Sequence, residues 1–128
     1  MFKVQMQVRD YECDLQGVVN NAVYQHYLEH ARHQFLLSKG VDFAALAQEG
    51  IHLMLASICL QFKASLRPGD SFEVSVQLQK QGRLKYVFVQ SIVKADGTLA
   101  LQAEAVGVAL SKQGRPMQFE QLEALISE

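Results

Sequence analysis

Residues 9–32, with the sequence RDYECDLQGVVNNAVYQHYLEHAR, decide the fold of this chain. The stretch begins at the end of a predicted strand, passes Asp14 and Gly17, and then opens into a helix. Gly17 can supply the positive φ angle of a tight loop. Asn20 or Asn21 is a suitable N-cap, because a short amide side chain accepts a hydrogen bond from an unpaired helix N–H. The pattern therefore predicts a carboxylate just ahead of a helix N-terminus.

This arrangement has the outline of a small hydrolytic centre. The first N–H groups of a helix lack partners within the helix and carry partial positive charge, so they can hold an anion or an oxyanion. Asp14 beside such a site is a candidate general base towards water, or a candidate nucleophile. The alternative interpretation is that Asp14 only caps a turn or the helix.

The helix is predicted to run from about residue 21 to about Ser38, with Lys39 and Gly40 as its stop signal. One face carries a wide apolar stripe that suits a helix lying across a sheet. The stripe consists of Tyr24, Tyr27, Leu28, Ala31 and Phe35. The opposite face is assigned to Gln25, Glu29, Arg32 and His33.

The rest of the chain reads mainly as strands. Alternation of apolar and polar residues predicts strands over residues 2–9, 72–78, 84–94 and 98–111. Residues 51–66 are predicted as a long strand, and the apolar residues on both faces around 54–60 indicate a central position in the sheet. Short helices are predicted at residues 42–49 and near the C-terminus, and turn signals occur at 67–70, 81–83 and 96–97.

This order of elements predicts an α+β architecture in which one long central helix is wrapped by a five-stranded antiparallel sheet. Residues 1–128 are expected to form a single domain. One helix on one sheet leaves a sheet face or an edge strand uncovered, so we expect a homodimer or a homotetramer.

Composition narrows the function classes. Hydrophobic residues make up 49% of the 128 residues and charged residues 20%, which is typical of a globular protein. The net charge of −1 does not indicate a nucleic-acid partner, and no run is long enough for membrane insertion. Cys13 and Cys59 form no CxxC pair, and the N-terminus lacks the apolar core of a signal peptide. Together these features favour the cytoplasm.

The opening stretch resembles a known family. The pattern D-x-x-G-x-V-N-N-A-x-Y is similar to the opening motif of hot-dog-fold acyl-CoA thioesterases, both the long-chain acyl-CoA and the 4-hydroxybenzoyl-CoA thioesterase-like groups. It consists here of Asp14, Gly17, Val19, Asn20, Asn21, Ala22 and Tyr24. Residues 27–29 and 31–32 are similar to the central helix of that family. The resemblance implies a hot-dog fold and thioester hydrolysis.

The resemblance also implies roles for individual residues. The catalytic carboxylate of the family falls on Asp14 and its polarising backbone N–H falls near Asn21, with Gly17 in the same catalytic set. Asn20 could orient the substrate or serve only as a cap. Tyr24 is counted with the substrate-binding set, although its place in the apolar stripe favours the core.

Coenzyme A carries phosphates, so its site should offer basic groups. Arg83 and Lys85 lie beside a predicted hairpin, where the family often contacts the nucleotide end of the ligand. Lys63 and Arg67 flank the preceding turn and are second candidates. The alternative is that these side chains only protect exposed strand edges.

Other chemistries receive less support. Residues 26–30, HYLEH, match the H-x-x-E-H pattern of zinc peptidases, but His26, His30 and His33 lie away from the apolar stripe and fit a surface or subunit interface. Cys13 has no histidine nearby in sequence to activate its thiol. The chain contains no G-x-S-x-G motif, P-loop or dinucleotide fingerprint.

The sequence therefore predicts an acyl-CoA thioesterase that requires no metal or organic cofactor. Two alternatives stay open. The substrate could be an aryl-CoA such as a hydroxybenzoyl or hydroxynaphthoyl thioester, or the chain could be a non-catalytic module that binds acyl-CoA or acyl-carrier protein. The presence of Asp14 favours catalysis, because binding alone requires no carboxylate beside the thioester carbonyl.

Overall fold

The computed structural model describes residues 1–126 and consists of one long helix packed against one antiparallel sheet. The helices are α1 (Asn21–Ser38), α2 (Phe43–Gln48) and α3 (Glu120–Glu123), and residues 10–12 form a single 3-10 turn. The strands are β1 (Phe2–Gln7), β2 (His52–Phe62), β3 (Ser71–Gln81), β4 (Lys85–Lys94), β5 (Leu99–Leu110) and the two-residue β6 (Pro116–Met117). The predicted α+β class is confirmed.

The sheet has the order β1-β3-β4-β5-β2, and each neighbouring pair is antiparallel. The short β6 pairs with the end of β5, so the sheet has one more strand than predicted. Hairpins join β3 to β4 and β4 to β5, as the glycines at positions 82 and 97 predicted. Alternation along each central strand gives the sheet a buried face and an outer face.

Helix α1 lies on the buried face of the sheet. Its predicted apolar stripe is confirmed, since Tyr24, Tyr27, Leu28, Ala31 and Phe35 are all buried. The buried face of the sheet carries larger apolar side chains on β3 and small ones on β5, and α1 lies closest to β3 and β1. These buried residues are Val74, Val76 and Leu78 on β3 and Ala103, Ala105 and Ala109 on β5. The core therefore lies between α1 and the middle of the sheet.

The predicted central position of the strand around residues 54–60 is wrong. Strand β2 lies at the edge and pairs only with β5 among the described residues. Met54, Leu55 and Phe62 are each about half exposed because no neighbouring strand covers them. The strand is also shorter than predicted. After Phe62 the chain turns, and the N–H groups of Lys63 and Ala64 both donate to the Ala100 carbonyl oxygen.

The expected place of Arg32 on the open face of α1 is also wrong. Arg32 is only 8% exposed and lies over the sheet, because its guanidinium Nη1 donates to Gln90 Oε1 on β4 at 3.1 Å. One strand boundary changes as well, whereas the start of α1 agrees with the first of the two predicted N-caps. Strand β1 ends at Gln7 instead of Arg9, because the chain bends there into the 3-10 turn. Asn20 is the N-cap of α1, with Asn21 as the first helical residue.

Candidate active site

The loop that carries Asp14 is a tight hairpin between the 3-10 turn and α1. Cys13 and Val19 form an isolated antiparallel bridge at its base. The Asp14 N–H donates to the Val18 carbonyl oxygen at 2.9 Å, and the Gly17 N–H donates to the Asp14 carbonyl oxygen at 3.0 Å. Gly17 has φ +75°, the conformation predicted for it, which residues with a side chain rarely adopt. These hydrogen bonds therefore fix the backbone position of Asp14 in the turn.

The Asp14 side chain lies at the surface of this loop. One carboxylate oxygen, Oδ1, accepts the N–H of Gln16 at 2.9 Å. Within residues 1–126 the other oxygen has no hydrogen-bond partner, and the residue is exposed. The carboxylate thus orders its own turn with one oxygen and leaves the second oxygen open to a substrate or a water molecule.

The N-terminus of α1 follows directly. The Asn20 side chain accepts the Ala22 N–H at 2.9 Å, and its carbonyl oxygen accepts the Val23 N–H at 2.9 Å. No oxygen of the described residues accepts the N–H of Asn21, and Asn21 is exposed. An unpaired N–H at the positive end of an 18-residue helix is suited to an oxyanion.

Glu12 anchors the loop to the helix. Its carboxylate accepts the backbone N–H of Arg9 at 2.8 Å and the Tyr27 hydroxyl at 2.7 Å. Burial, followed by the hydrogen bond to Glu12, raises the pKa of Tyr27, so the hydroxyl stays protonated and remains a donor. Asn20 adds a backbone bond from its N–H to the Glu12 carbonyl oxygen at 3.0 Å. This role of Glu12 was not predictable from local sequence, because its partner Tyr27 is 15 residues away.

Tyr24 lies in the core, as its position in the apolar stripe indicated. It is 3% exposed, its hydroxyl oxygen accepts the Leu66 N–H at 3.1 Å, and its ring meets the Phe62 ring edge-on at a centroid distance of 5.3 Å. The Val19 N–H donates to the Leu66 carbonyl oxygen at 2.9 Å, which ties the Asp14 loop to the same segment. Tyr24 therefore packs under the Asp14 loop and the end of β2 from the core side.

The four basic candidates separate into two groups at opposite ends of the sheet. Lys63 and Arg67 are exposed in the segment that holds the Asp14 loop through Leu66. Arg83 and Lys85 are exposed at the β3–β4 hairpin, beyond the far end of β3. A strand of 11 residues extends over about 30 Å. Within one chain, only the first group lies near Asp14.

Neither the histidines nor the cysteine beside Asp14 forms a second reactive centre in the described structure. In residues 1–126 no group of three or more His, Cys, Asp or Glu side chains could hold a metal ion. His33 instead meets the Phe43 ring at a centroid distance of 4.8 Å. Burial, and then the negative charge of Asp14, raise the pKa of the Cys13 thiol, which disfavours the reactive thiolate.

The fold and this loop-to-helix site define a class of protein. A sequence model of the Thioesterase-like superfamily matches residues 8–125, and the chain belongs to this superfamily. Its α+β architecture is the hot-dog fold that the sequence analysis expected. No helix of residues 1–126 is long and apolar enough to cross a membrane.

Individual relatives agree with this assignment. The chain is 36% identical over 118 residues to the acyl-acyl carrier protein thioesterase ATL3 of Arabidopsis thaliana, covering 91% of this chain and 62% of that protein. It is 27% identical over 110 residues to the acyl-CoA thioester hydrolase YbgC of Escherichia coli, covering 86% and 82%. A hypothetical protein from Aquifex aeolicus superposes with a TM-score of 0.87 at 28% identity, covering 98% and 99%. The chain spans about three fifths of the length of the plant relative.

Proposed function

We propose that this protein hydrolyses acyl thioesters at the junction between the Asp14 loop and helix α1. The observation that carries the proposal is the pairing of two unused groups in one short segment. Asp14 keeps one carboxylate oxygen without a protein partner, and Asn21 keeps an N–H without an acceptor, in the chain from residue 1 to 126. Thioester hydrolysis requires both an attacking oxygen and a donor for the developing oxyanion.

In the proposed reaction the thioester carbonyl oxygen accepts the Asn21 N–H. Asp14 takes a proton from a water molecule, whose oxygen forms a bond to the carbonyl carbon. The resulting oxyanion stays at the helix N-terminus until the carbon–sulfur bond breaks, and the leaving thiolate then takes the proton that Asp14 removed from water. In the alternative route the Asp14 carboxylate attacks the carbon itself, expels the thiolate and forms a mixed anhydride, which water hydrolyses. Gly17 supports either route by holding the turn.

We propose coenzyme A as the thiol carrier. The Escherichia coli relative is named as an acyl-CoA thioester hydrolase, whereas the plant relative is named as an acyl-acyl carrier protein thioesterase. The exposed Lys63, Arg67, Arg83 and Lys85 offer cationic side chains for phosphates. Asn20 caps the helix through its side-chain oxygen, and no acceptor among the described residues takes its Nδ2 amide, so the exposed side chain can both cap the helix and contact a substrate.

The active unit in this proposal is a homodimer formed through β2. That strand has 11 residues and no Lys, Arg, Asp or Glu, and it presents an unpaired edge with half-exposed Met54 and Leu55. The opposite edge, β1, is protected by Lys3, which pairs with Glu73. Antiparallel pairing of two β2 edges around a twofold axis satisfies both edges with one contact.

This dimer also unites the two groups of basic residues. The C-terminal end of β2 lies against the N-terminal part of α1, through the contact of Phe62 with Tyr24. The N-terminal end of β2 lies at the same end of the sheet as the β3–β4 hairpin. In the strand register, Met54 is opposite Val108 and Val108 is opposite Lys85. In an antiparallel pair of β2 strands, these two ends meet. Arg83 and Lys85 of one subunit therefore approach the Asp14 loop of the other.

Thiol release from a panel of thioesters tests the function. The panel contains straight-chain acyl-CoA thioesters of increasing length, an aryl-CoA, and one acyl chain on acyl-carrier protein. We expect hydrolysis of at least one CoA thioester with a kcat/KM of about 10⁴ M⁻¹s⁻¹ or more. Hydrolysis of the carrier-protein thioester alone would reject coenzyme A as the carrier. Tight binding of the panel without any turnover would identify a binding module instead of an enzyme.

A further inference from the structure

Arg32 has more hydrogen-bonding capacity than the protein uses. Its Nη1 donates to Gln90 Oε1, and Gln90 is held in this orientation because its Nε2 donates to the Leu28 carbonyl oxygen at 3.0 Å. No other acceptor in residues 1–126 contacts the Arg32 guanidinium, and none of the ion pairs there includes it. Among the described residues every fully enclosed side-chain nitrogen and oxygen has a partner, so the unpaired N–H groups of Arg32 are not fully enclosed by protein.

A cavity of about 180 Å³ lies at this position, between α1 and the edge of the sheet. Three polar residues line it, Arg32 together with the exposed Glu29 and His33. Most of the remaining wall is apolar and includes Phe43, Leu53, Phe88 and Leu122. Gly107 also lines the cavity, and it packs so closely on β2 that an added Cβ would lie 3.3 Å from the Met54 carbonyl oxygen. An apolar cavity of about 150 Å³ can hold one benzene ring. This cavity therefore suits an acyl group of about six carbons.

The charge of Arg32 makes the cavity unusual. Burial lowers the pKa of its guanidinium and the negative charge of Glu29 opposes that effect, but an arginine side chain remains protonated in proteins. Glu29 is exposed and forms no ion pair with Arg32 in the described chain. A buried cation without an anionic partner is costly. A carboxylate is its best partner, because it matches the planar guanidinium with two parallel hydrogen bonds.

The cavity is out of reach of the Asp14 loop of its own chain. Arg32 lies 11 positions after Asn21 on α1, a distance of about 16 Å along the helix axis. An extended six-carbon chain covers about 7 Å. Leu53, however, lies near the N-terminal end of β2, which the proposed dimer brings beside the N-terminus of α1 in the second subunit. The cavity is therefore open to a thioester held by the other subunit.

We propose that this cavity receives the acyl group, and that Arg32 selects acyl chains of about six carbons that end in a carboxylate. The preferred substrate class is thus the monothioester of a dicarboxylic acid. This inference rests on the proposed thioesterase function and on the proposed β2 dimer, and it adds a specificity-determining residue to them.

A pair of substrates that differ only at the chain end tests the proposal. Adipoyl-CoA and hexanoyl-CoA have the same chain length, and only the first carries a terminal carboxylate. We expect wild-type kcat/KM to be about tenfold to 100-fold higher for adipoyl-CoA, the effect of a charge-assisted hydrogen bond inside the protein. Arg32→Gln should abolish the preference, because it should lower kcat/KM for adipoyl-CoA at least about tenfold more than kcat/KM for hexanoyl-CoA. Arg32→Lys should keep part of the preference.

Arg115→Gln is the matched control, because Arg115 is exposed and lies outside the cavity; it should leave the preference unchanged. A purely structural Arg32 predicts equal losses on both substrates, and that result would overturn the proposal. So would a wild-type enzyme that hydrolyses hexanoyl-CoA as well as adipoyl-CoA, even if no Arg32 variant folds. If neither thioester is hydrolysed, the wider thioester panel still decides the proposed function separately. Calorimetric affinities for the two thioesters then decide the inference, which requires tighter binding of adipoyl-CoA.

Discussion

Replacing Asp14 with asparagine should lower kcat for thioester hydrolysis by about 10³-fold or more with little change in stability. The substitution keeps the shape of the side chain and an oxygen that can accept the Gln16 N–H, so the loop should retain its conformation. It removes the negative charge that either activates water or attacks the thioester carbon, and such groups contribute about 10² to 10⁴ in rate. Steady-state thiol release and thermal unfolding should be measured on the same preparations.

Asp96 supplies a matched control for this substitution. It is exposed, and its Oδ1 accepts the Thr98 N–H at 2.9 Å, the same spacing and distance as in the bond from Gln16 to Asp14. Asp96→Asn should therefore report the stability cost of the same change in a comparable turn. We expect it to change the free energy of unfolding by less than about 0.5 kcal/mol and to leave turnover unchanged. If Asp14→Asn retains wild-type turnover, Asp14 only orders its turn and the proposed chemistry is wrong.

Placing lysines on β2 should separate the subunits and remove most of the activity. Ser57 and Cys59 lie near the middle of β2 and are exposed, so the double variant Ser57→Lys/Cys59→Lys should fold. In a dimer paired through β2 it would bring four lysines together around the twofold axis, which opposes association. We expect the molar mass from light scattering to fall by half. The kcat/KM should fall by about 10²-fold, because each site loses the groups from the second subunit.

The β1 edge gives the control for this experiment. Gln5→Lys/Gln7→Lys adds the same charge to exposed positions of the opposite edge strand, which already carries Lys3. This variant should keep both its mass and its activity. A β2 variant that becomes monomeric but remains fully active would show that one chain contains the whole site. A wild-type protein that is monomeric would exclude the dimer directly.

The local features of the fold were predictable because short-range sequence signals determine them. Helix α1, its apolar stripe and the turn at Gly17 follow from periodicity, capping and a single positive φ angle. The antiparallel hairpins follow from the glycines that end each strand. Asp14 was a candidate catalytic group because it precedes a predicted helix N-terminus and matches a family motif, and its exposed carboxylate in the structure is compatible with that role.

The features that were missed depend on contacts between distant parts of the chain. An apolar run such as residues 54–60 has the same pattern in a central strand and in an edge strand that another subunit covers. The burial of Arg32 depends on Gln90, which lies 58 positions further along the chain. Helical periodicity placed Arg32 with polar neighbours, and no local signal identifies its partner. The hydrogen bond from Tyr27 to Glu12 was missed for the same reason, because its two residues are far apart in the chain.

The most direct test of the account is a crystal structure of the Asp14→Asn variant with an unhydrolysed acyl-CoA bound. We expect the thioester carbonyl oxygen to lie about 3 Å from the backbone nitrogen of Asn21, with the side chain at position 14 beside the carbonyl carbon. Arg83 and Lys85 of the second subunit should contact the phosphates. A thioester bound away from the N-terminus of α1 would contradict the account, whatever the activity of the wild-type protein.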